Sequence, residues 1–474
     1  MPPATDAVDE LLLWLKSHGA QWNNVELRHI AAHERGVFTT SVIQPDQVVL
    51  EVPPKVMLTP DSCGEEEPLA AALKKSGASH TAVLLACFLD QQASRSSFWS
   101  PYFAALPRSL AHLPLLTPVS QVDQLLQGSP TLVDIHHKRN EIDKIYDYLD
   151  TSVGIVDTIS RDSFMKAWGA VESHAHSQGD GEPVMIPLVD MVNHNEPPSL
   201  KLKKQGNNTV AVATRQIRQG EEVAMSYAGG TQAVQQIFRQ FGFVDRTLRV
   251  RLKIPLRLTP DDIHYEQKKV LFPAYLVRTK AMFDDAEKYT EEKSTEDLFR
   301  IRTFPSHRIL WCSPEGLVNA TSLKIMKPSM EEALKFLRFV TITGMDDVEQ
   351  LCDSSTPPEC KAKDEEHEKR ALERLAVELE FQMKAFPTTI SQDDALLAKG
   401  DPWAPYVEIR RMEKRCMHHF IQLARGEEFE LPGPDPEADI GVWLGLGVLL
   451  TVVGIIFVGR QFLARSKSRT EKAL

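Results

Sequence analysis

Residues 185–195, MIPLVDMVNHN, carry an apolar run straight into Asp190, Asn193 and His194. Buried polar groups need partners, so such a sequence calls for something polar bound where the run ends. Other stretches supply matching chemistry. ERGVF (34–38) puts a glycine at a strand start, where backbone can approach a ligand closely. WGAVESHA (168–175) is a helical stretch ending in polar residues, and GEEVAMSYAGG (220–230) places Tyr227 at a strand end. FGFVD (241–245) adds Phe241 and Phe243. Each has a plain reading alone: a turn, a half-buried strand tyrosine, two core phenylalanines. Their order and spacing set them apart. SHAHSQGD offers His174, His176 and Asp180, but a single HxH lacks further ligands at recognisable spacing, and no metal is expected. Nothing like GxSxG occurs, which sets a serine hydrolase aside.

The elements that must position these residues follow from periodicity. A first amphipathic helix is expected from Asp6 as N-cap and from Val8, Leu11, Leu12 and Leu15 on one face. Short strands at Gly36–Phe38 and Val48–Leu50 flank a Pro45-Asp46 turn. From about 66 to 182 the pattern is helical, and strands return around a Gln205–Asn208 hairpin turn and the Gly220-Glu221 turn. After about 255 the periodicity reads as nearly all helical, and 361–386 reads as a long solvated helix with i,i+4 charge pairs.

At 474 residues the chain is expected to form two folded domains plus extras. Hydrophobic content of 42% and charged content of 25% are those of a globular protein. A net charge of −11 argues against bulk electrostatic binding to nucleic acid. The six cysteines, with no CxxC pair, exclude the usual zinc spacings and do not look like a disulfide framework, and reduced thiols suit a cytosol-like compartment. The first twenty residues lack a basic n-region and carry acids, so they make a poor signal or transit peptide. At the other end, 440–459 holds no charge over twenty positions. At about 1.5 Å per residue that length spans a bilayer core of about 30 Å. Gly441 and Gly445 form a GxxxG pair through which two such helices could dimerise. Residues 431–439 form a Pro-rich linker, and 460–474 a basic tail.

Taken in order, the motifs resemble the SET-domain protein methyltransferases, in the branch of the RuBisCO large-subunit lysine methyltransferase. That branch shows an RG-x-hydrophobic start, a PLxDMxNH segment, a GEE-x-x-x-SY strand and a YGF ending. FWSPYFAALP (98–107) and DDALLAKG…PYVEIRRMEKR (393–415) also look like it, and the resemblance covers roughly 10 to 425. It implies an α+β protein with a SET domain over 1–250, its helical insertion at about 66–182, and an all-α substrate-binding domain over 251–430. A single C-terminal transmembrane helix follows. S-adenosylmethionine (AdoMet) is the implied cofactor and a non-histone protein lysine the implied acceptor. His33, Glu34, Arg35 and Gly36 would line the cofactor pocket through backbone groups. Ser173, His174, Asn193 and His194 would hold AdoMet. Tyr227 would be the catalytic tyrosine beside both ligands, with Asp190, Phe241 and Phe243 on the substrate side.

Two departures matter. The family usually has Ser-Arg where this chain has Ser173-His174, and histidine lacks the guanidinium fork. AdoMet affinity is therefore expected to be weaker or pH-dependent. Phe241 replaces a tyrosine, and the usual asparagine between Tyr227 and Phe241 is missing. Two alternatives stay open: a weakly catalytic or non-catalytic SET-like binding module at a membrane, and a methyltransferase with a histidine acceptor. The basic tail resembles mitochondrial, peroxisomal or plastid outer-membrane anchors more than endoplasmic-reticulum ones, with the catalytic domain cytosolic.

Overall fold

The computed structural model describes residues 7–31, 34–107, 109–177, 181–228, 233–271, 304–313, 320–355 and 358–427. His33, Asp180 and the linker, membrane segment and tail at 431–474 lie outside them. Among the described residues no helix is long and apolar enough to cross a membrane.

The strands are β1 (Gln21–Trp22), β2 (Val25–Ala31), β3 (Glu34–Thr39), β4 (Val48–Val52), β5 (Ala175–Ser177), β6 (Pro183–Met185), β7 (Asn193–His194), β8 (Leu200–Gln205), β9 (Asn208–Ala213), β10 (Glu222–Met225), β11 (Val250–Leu258) and β12 (Phe304–Cys312). A main sheet runs β1-β4-β9-β8-β10-β3-β2, with β7 paired to β10. β8 and β9 form the expected hairpin, Gln205 facing Asn208 across Gly206, whose φ of 57 suits glycine. Val49, Leu50, Val52, Val210 and Val223 are buried, and the consecutive buried positions of β9 and β10 mark strands covered on both faces.

The helical insertion includes Pro68–Ser76, His80–Ala93, Pro130–Val153 and Arg161–His174. The last opens on Ser160, whose side chain accepts from Ser163 N, and buries Phe164, Ala167, Trp168 and Val171, the i, i+3, i+4, i+7 stripe of an amphipathic helix. It ends eight residues short of 182. The remainder includes β5 and β6, paired antiparallel.

The all-α expectation for the second domain is corrected. β11 and β12 form a nine-pair antiparallel ribbon, and VRLKIPLRL alternates buried and half-buried residues along its length. That alternation is the strand period, masked in the sequence by its charged half and by Pro255. The ribbon packs with the helices Ala320–Thr341, Glu365–Met383 and Ala404–Arg425 around one core. The charged helix is also more than solvated, because Ala371, Leu375, Ala376 and Leu379 are buried. Val122, Leu126 and Ile135 of the insertion join this second core.

All six cysteines pair, as Cys63–Cys87, Cys312–Cys416 and Cys352–Cys360. The expectation of unpaired thiols is thereby overturned. Two of the pairs bridge positions 24 and 104 apart in sequence, so tertiary contact, not motif spacing, sets them.

Candidate active site

The three central motifs interlock around β10. Its Glu222 and Val223 pair antiparallel with Phe38 and Val37 of β3, and its Ala224 and Met225 pair parallel with Asn193 and His194. Gly36 lies on β3 where a Cβ would collide with the Glu222 carboxylate. That carboxylate accepts from Asn193 Nδ2 at 2.7 Å, and the same amide donates to Arg35 O at 2.8 Å. The glycine thus makes room for the acid, and the acid and the Arg35 carbonyl hold the asparagine. Asn193 spends both amide hydrogens within the protein, which leaves only its Oδ1 for a ligand.

His194 is similarly occupied. Its Nδ1 accepts from Tyr227 N at 2.9 Å, and its Nε2 donates to Asp245 Oδ2 at 2.7 Å. With both ring nitrogens used, the imidazole fixes the backbone that carries Tyr227 and offers a ligand its face. Asp245, the last residue of FGFVD, carries no role in the sequence reading. It is enclosed by burial, yet hydrogen bonds from Thr247 and His194 keep its carboxyl below the usual range.

The apolar run does its part through an unusual turn. Met185, Ile186, Val189 and Val192 are buried, while Leu188 adopts φ 77 and ψ −43. A bulky residue at positive φ is strained by roughly 1–3 kcal/mol, and such strain clusters at functional sites. The following 3-10 turn, Val189–Met191, presents Asp190 to a cavity also lined by Ser173, His176, Met225, Tyr227, Gln240 and Phe241. Asp190 Oδ2 accepts from the buried Tyr102 hydroxyl, while Oδ1 is enclosed without a partner among the described residues. Burial pushes this carboxyl up to about 7, against the Tyr102 bond and the Arg35 charge. The Leu188 and Asp190 amides also favour the carboxylate, without reaching Oδ1 in hydrogen-bond geometry.

Tyr227 donates its hydroxyl hydrogen to Val192 O at 2.8 Å. Burial, then Asp190 and Glu222, raise its pKa, so it stays a phenol. Its ring lies 4.6 Å from Phe241, 5.2 Å from His194 and 6.4 Å from Phe243, and His194 lies 5.4 Å from Phe243. Gly242 between the phenylalanines has φ 78, and a Cβ there would stand 2.6 Å from His112 O. Only glycine combines that backbone with that approach.

His174 ends its helix with Nδ1 at 3.0 Å from both Ala170 O and Ser173 Oγ. Burial, aided by Arg35 and His112, lowers it to about 4, so it is neutral near pH 7. Arg35 lies close enough to act on both His174 and Asp190 and spends one donor on Ala105 O at 2.8 Å. The structure therefore gathers Arg35, Gly36, Ser173, His174, Asp190, Asn193, His194, Tyr227, Phe241 and Phe243 around one region. Glu34 opens β3, and nothing is stated of its side chain. Tyr102, His176, Glu222 and Asp245 join them. Tyr102 falls within the FWSPYFAALP stretch, and GEE and FGFVD contain the other two acids, so the motif text held the signal without the roles.

Comparison with known proteins follows the same lines. Residues 34–228 match the family model for the SET domain, and residues 303–427 match that for Rubisco LSMT substrate-binding. The actin-histidine N-methyltransferase of Xenopus tropicalis is 25% identical over 295 residues, 59% of this chain and 50% of that protein. Its Homo sapiens counterpart is 24% identical over 295 residues, 59% and 49%. The chain thus spans about half the length of the curated relatives it matches. Rubisco LSMT bound to AdoMet superposes with a TM-score of 0.64 at 16% identity, covering 89% of this chain and 92% of that one. Rubisco LSMT bound to sinefungin and monomethyllysine gives 0.64 at 17%, covering 90% and 92%. At that identity the likeness is one of fold. The chain carries a SET domain followed by a Rubisco LSMT substrate-binding domain, in the fold of Rubisco LSMT.

Proposed function

We propose that the chain is an AdoMet-dependent methyltransferase acting on a lysine side chain of a non-histone protein. The observation that carries the lysine reading is what the cavity offers an incoming nitrogen. Tyr227 has committed its hydrogen to Val192, so its hydroxyl oxygen is an acceptor, and Asp190 lines the same cavity with a carboxyl. A lysine ammonium brings only N–H donors, whereas a neutral imidazole brings one donor and one acceptor. The cavity therefore suits lysine better.

The residues present also fit the cofactor. The faces of His194, Tyr227, Phe241 and Phe243 suit a cation. Arg35 has guanidinium donors left for a carboxylate, and Asn193 keeps Oδ1 for an amine. Arg35, Ser173, Asn193 and His194 would hold AdoMet, which supplies an electrophilic methyl on a sulfonium. Tyr227 then orients the acceptor nitrogen through its hydroxyl oxygen, and the aromatic walls exclude water. Much of the rate comes from alignment, and the dry walls disfavour the ammonium over the amine.

A histidine acceptor is the second reading, supported by relatives that bear the name actin-histidine N-methyltransferase. Titration calorimetry with AdoMet, followed by mass spectrometry of the residue labelled in a lysate, tests both. Binding with label on lysine supports the first reading, label on histidine supports the second, and no binding at near-millimolar AdoMet overturns the enzyme. Residues 440–459 are read as a membrane anchor on their length and lack of charge, with Gly441 and Gly445 available for a dimer contact. The basic tail favours a mitochondrial, peroxisomal or plastid outer membrane, with the SET domain on the cytosolic side.

A further inference from the structure

A lysine reaching the cavity arrives as an ammonium, with an ordinary pKa of about 10.4, and something must take its proton. Tyr227 does not, since its phenol is raised in pKa and its hydrogen is bonded to Val192 O. His176 lines the same cavity with an unpartnered Nε2, but burial lowers it to about 4, too weak to hold a proton from an amine. Asp190 is different. Tyr102, from the helix Ser100–Ala105, holds Oδ2 with a buried hydroxyl whose own pKa is raised well above its normal value. Tyr102 is thus a permanent donor that pins one oxygen and leaves Oδ1 enclosed and unpaired. An enclosed polar atom left unpaired is costly, and Asp190 lines the cavity that Tyr227 shares. The other groups that act on Asp190 are Arg35 of β3 and the amides of Leu188 and Asp190, and all of them favour the carboxylate.

We propose that Asp190 accepts the proton of the acceptor lysine through Oδ1, with Tyr102 as the positioning residue that orients the carboxylate. This rests on the lysine reading above. In the step, one N–H bond of the ammonium breaks. The proton bonds to Oδ1, and the bonding pair stays on Nζ as the nucleophilic lone pair. Carboxylate and ammonium become carboxylic acid and amine, so the charge sum is unchanged. The lone pair would take the methyl that AdoMet supplies as the C–S bond breaks and its pair stays on the cofactor's sulfur. Asp190 would return its proton to water when the product leaves.

The test is kcat/KM against pH for the full chain, using a lysine-bearing peptide identified by labelling, with AdoMet affinity measured in parallel by calorimetry. The wild type should show an acid limb near pH 7, the range to which the free carboxyl is pushed. Asp190→Asn should lose that limb and fall by about 10²–10⁴-fold, the usual contribution of a positioned base. Tyr102→Phe removes a bond that favours the carboxylate, so its limb should move to higher pH with AdoMet affinity unchanged. That shift is a readout that simple loss of packing would not give. Wild-type rates and an intact limb in Asp190→Asn would overturn the proposal, as would an unmoved limb in a folded Tyr102→Phe. Methyl transfer to histidine alone would overturn the lysine reading and with it the need for this acceptor, an outcome distinct from an active Asp190→Asn.

Discussion

His174 stands where the SET resemblance expects an arginine, and the structure says what the exchange does. Its Nδ1 is occupied by Ala170 O and Ser173 Oγ, and burial holds it near 4. It therefore carries no charge in the physiological range, and titration of His174 should contribute no pH dependence to AdoMet affinity between about pH 6 and about pH 8. His174→Arg should restore a charge-assisted bond, worth about 1.5–3 kcal/mol, and tighten AdoMet binding by roughly tenfold or more. Calorimetry checks this. An unchanged Kd would mean that Arg35 already supplies the charge. At this scale the motifs made Asn193, His194 and Tyr227 legible, because their residue types and spacing are unusual. Their actual partners, Glu222, Asp245 and Val192 O, were not legible, since such pairs span up to 51 residues and depend on strand register.

Among the elements, the junction between insertion and second domain holds a buried acid. Glu413 on the helix Ala404–Arg425 accepts from Ser129 Oγ at 2.5 Å and Thr131 Oγ1 at 2.6 Å, both at the start of Pro130–Val153. Burial, against these bonds, pushes its carboxyl up to about 7. A raised acid contributes stability that is fully present below the unfolded value of about 4.3 and is lost as pH rises through about 7. The wild-type melting temperature should thus fall between about pH 5 and about pH 8. Glu413→Gln keeps the shape without the charge and should flatten the fall, by an effect on the order of 3 kcal/mol for a shift of this size. Parallel pH dependence in both proteins would contradict this. The helices and the β8–β9 hairpin were legible from periodicity and turn residues. β11 was not, because its alternation is half-charged and Pro255 sits within it. Its partner β12 is 46 residues further on.

For the whole molecule, the two bodies share more than a linker. Insertion residues Val122, Leu126 and Ile135 belong to the core built by β11, β12 and the helices that pack on them, so the insertion and the second domain share one packed core. Cysteine pairing, which tertiary contact sets and spacing does not show, removes one reason for placing the protein in a reducing compartment. Membrane attachment rests on 440–459 alone. Residues 431–474 fused to a fluorescent protein should label a membrane in live imaging, whereas a diffuse cytosolic signal would contradict the anchor. The central claim, methyl transfer to lysine at Tyr227, is tested most directly with methyl-labelled AdoMet in a cell lysate, comparing wild type with Tyr227→Phe. A labelled lysine is expected with the wild type and little or none with the variant. Equal labelling by both proteins would contradict it.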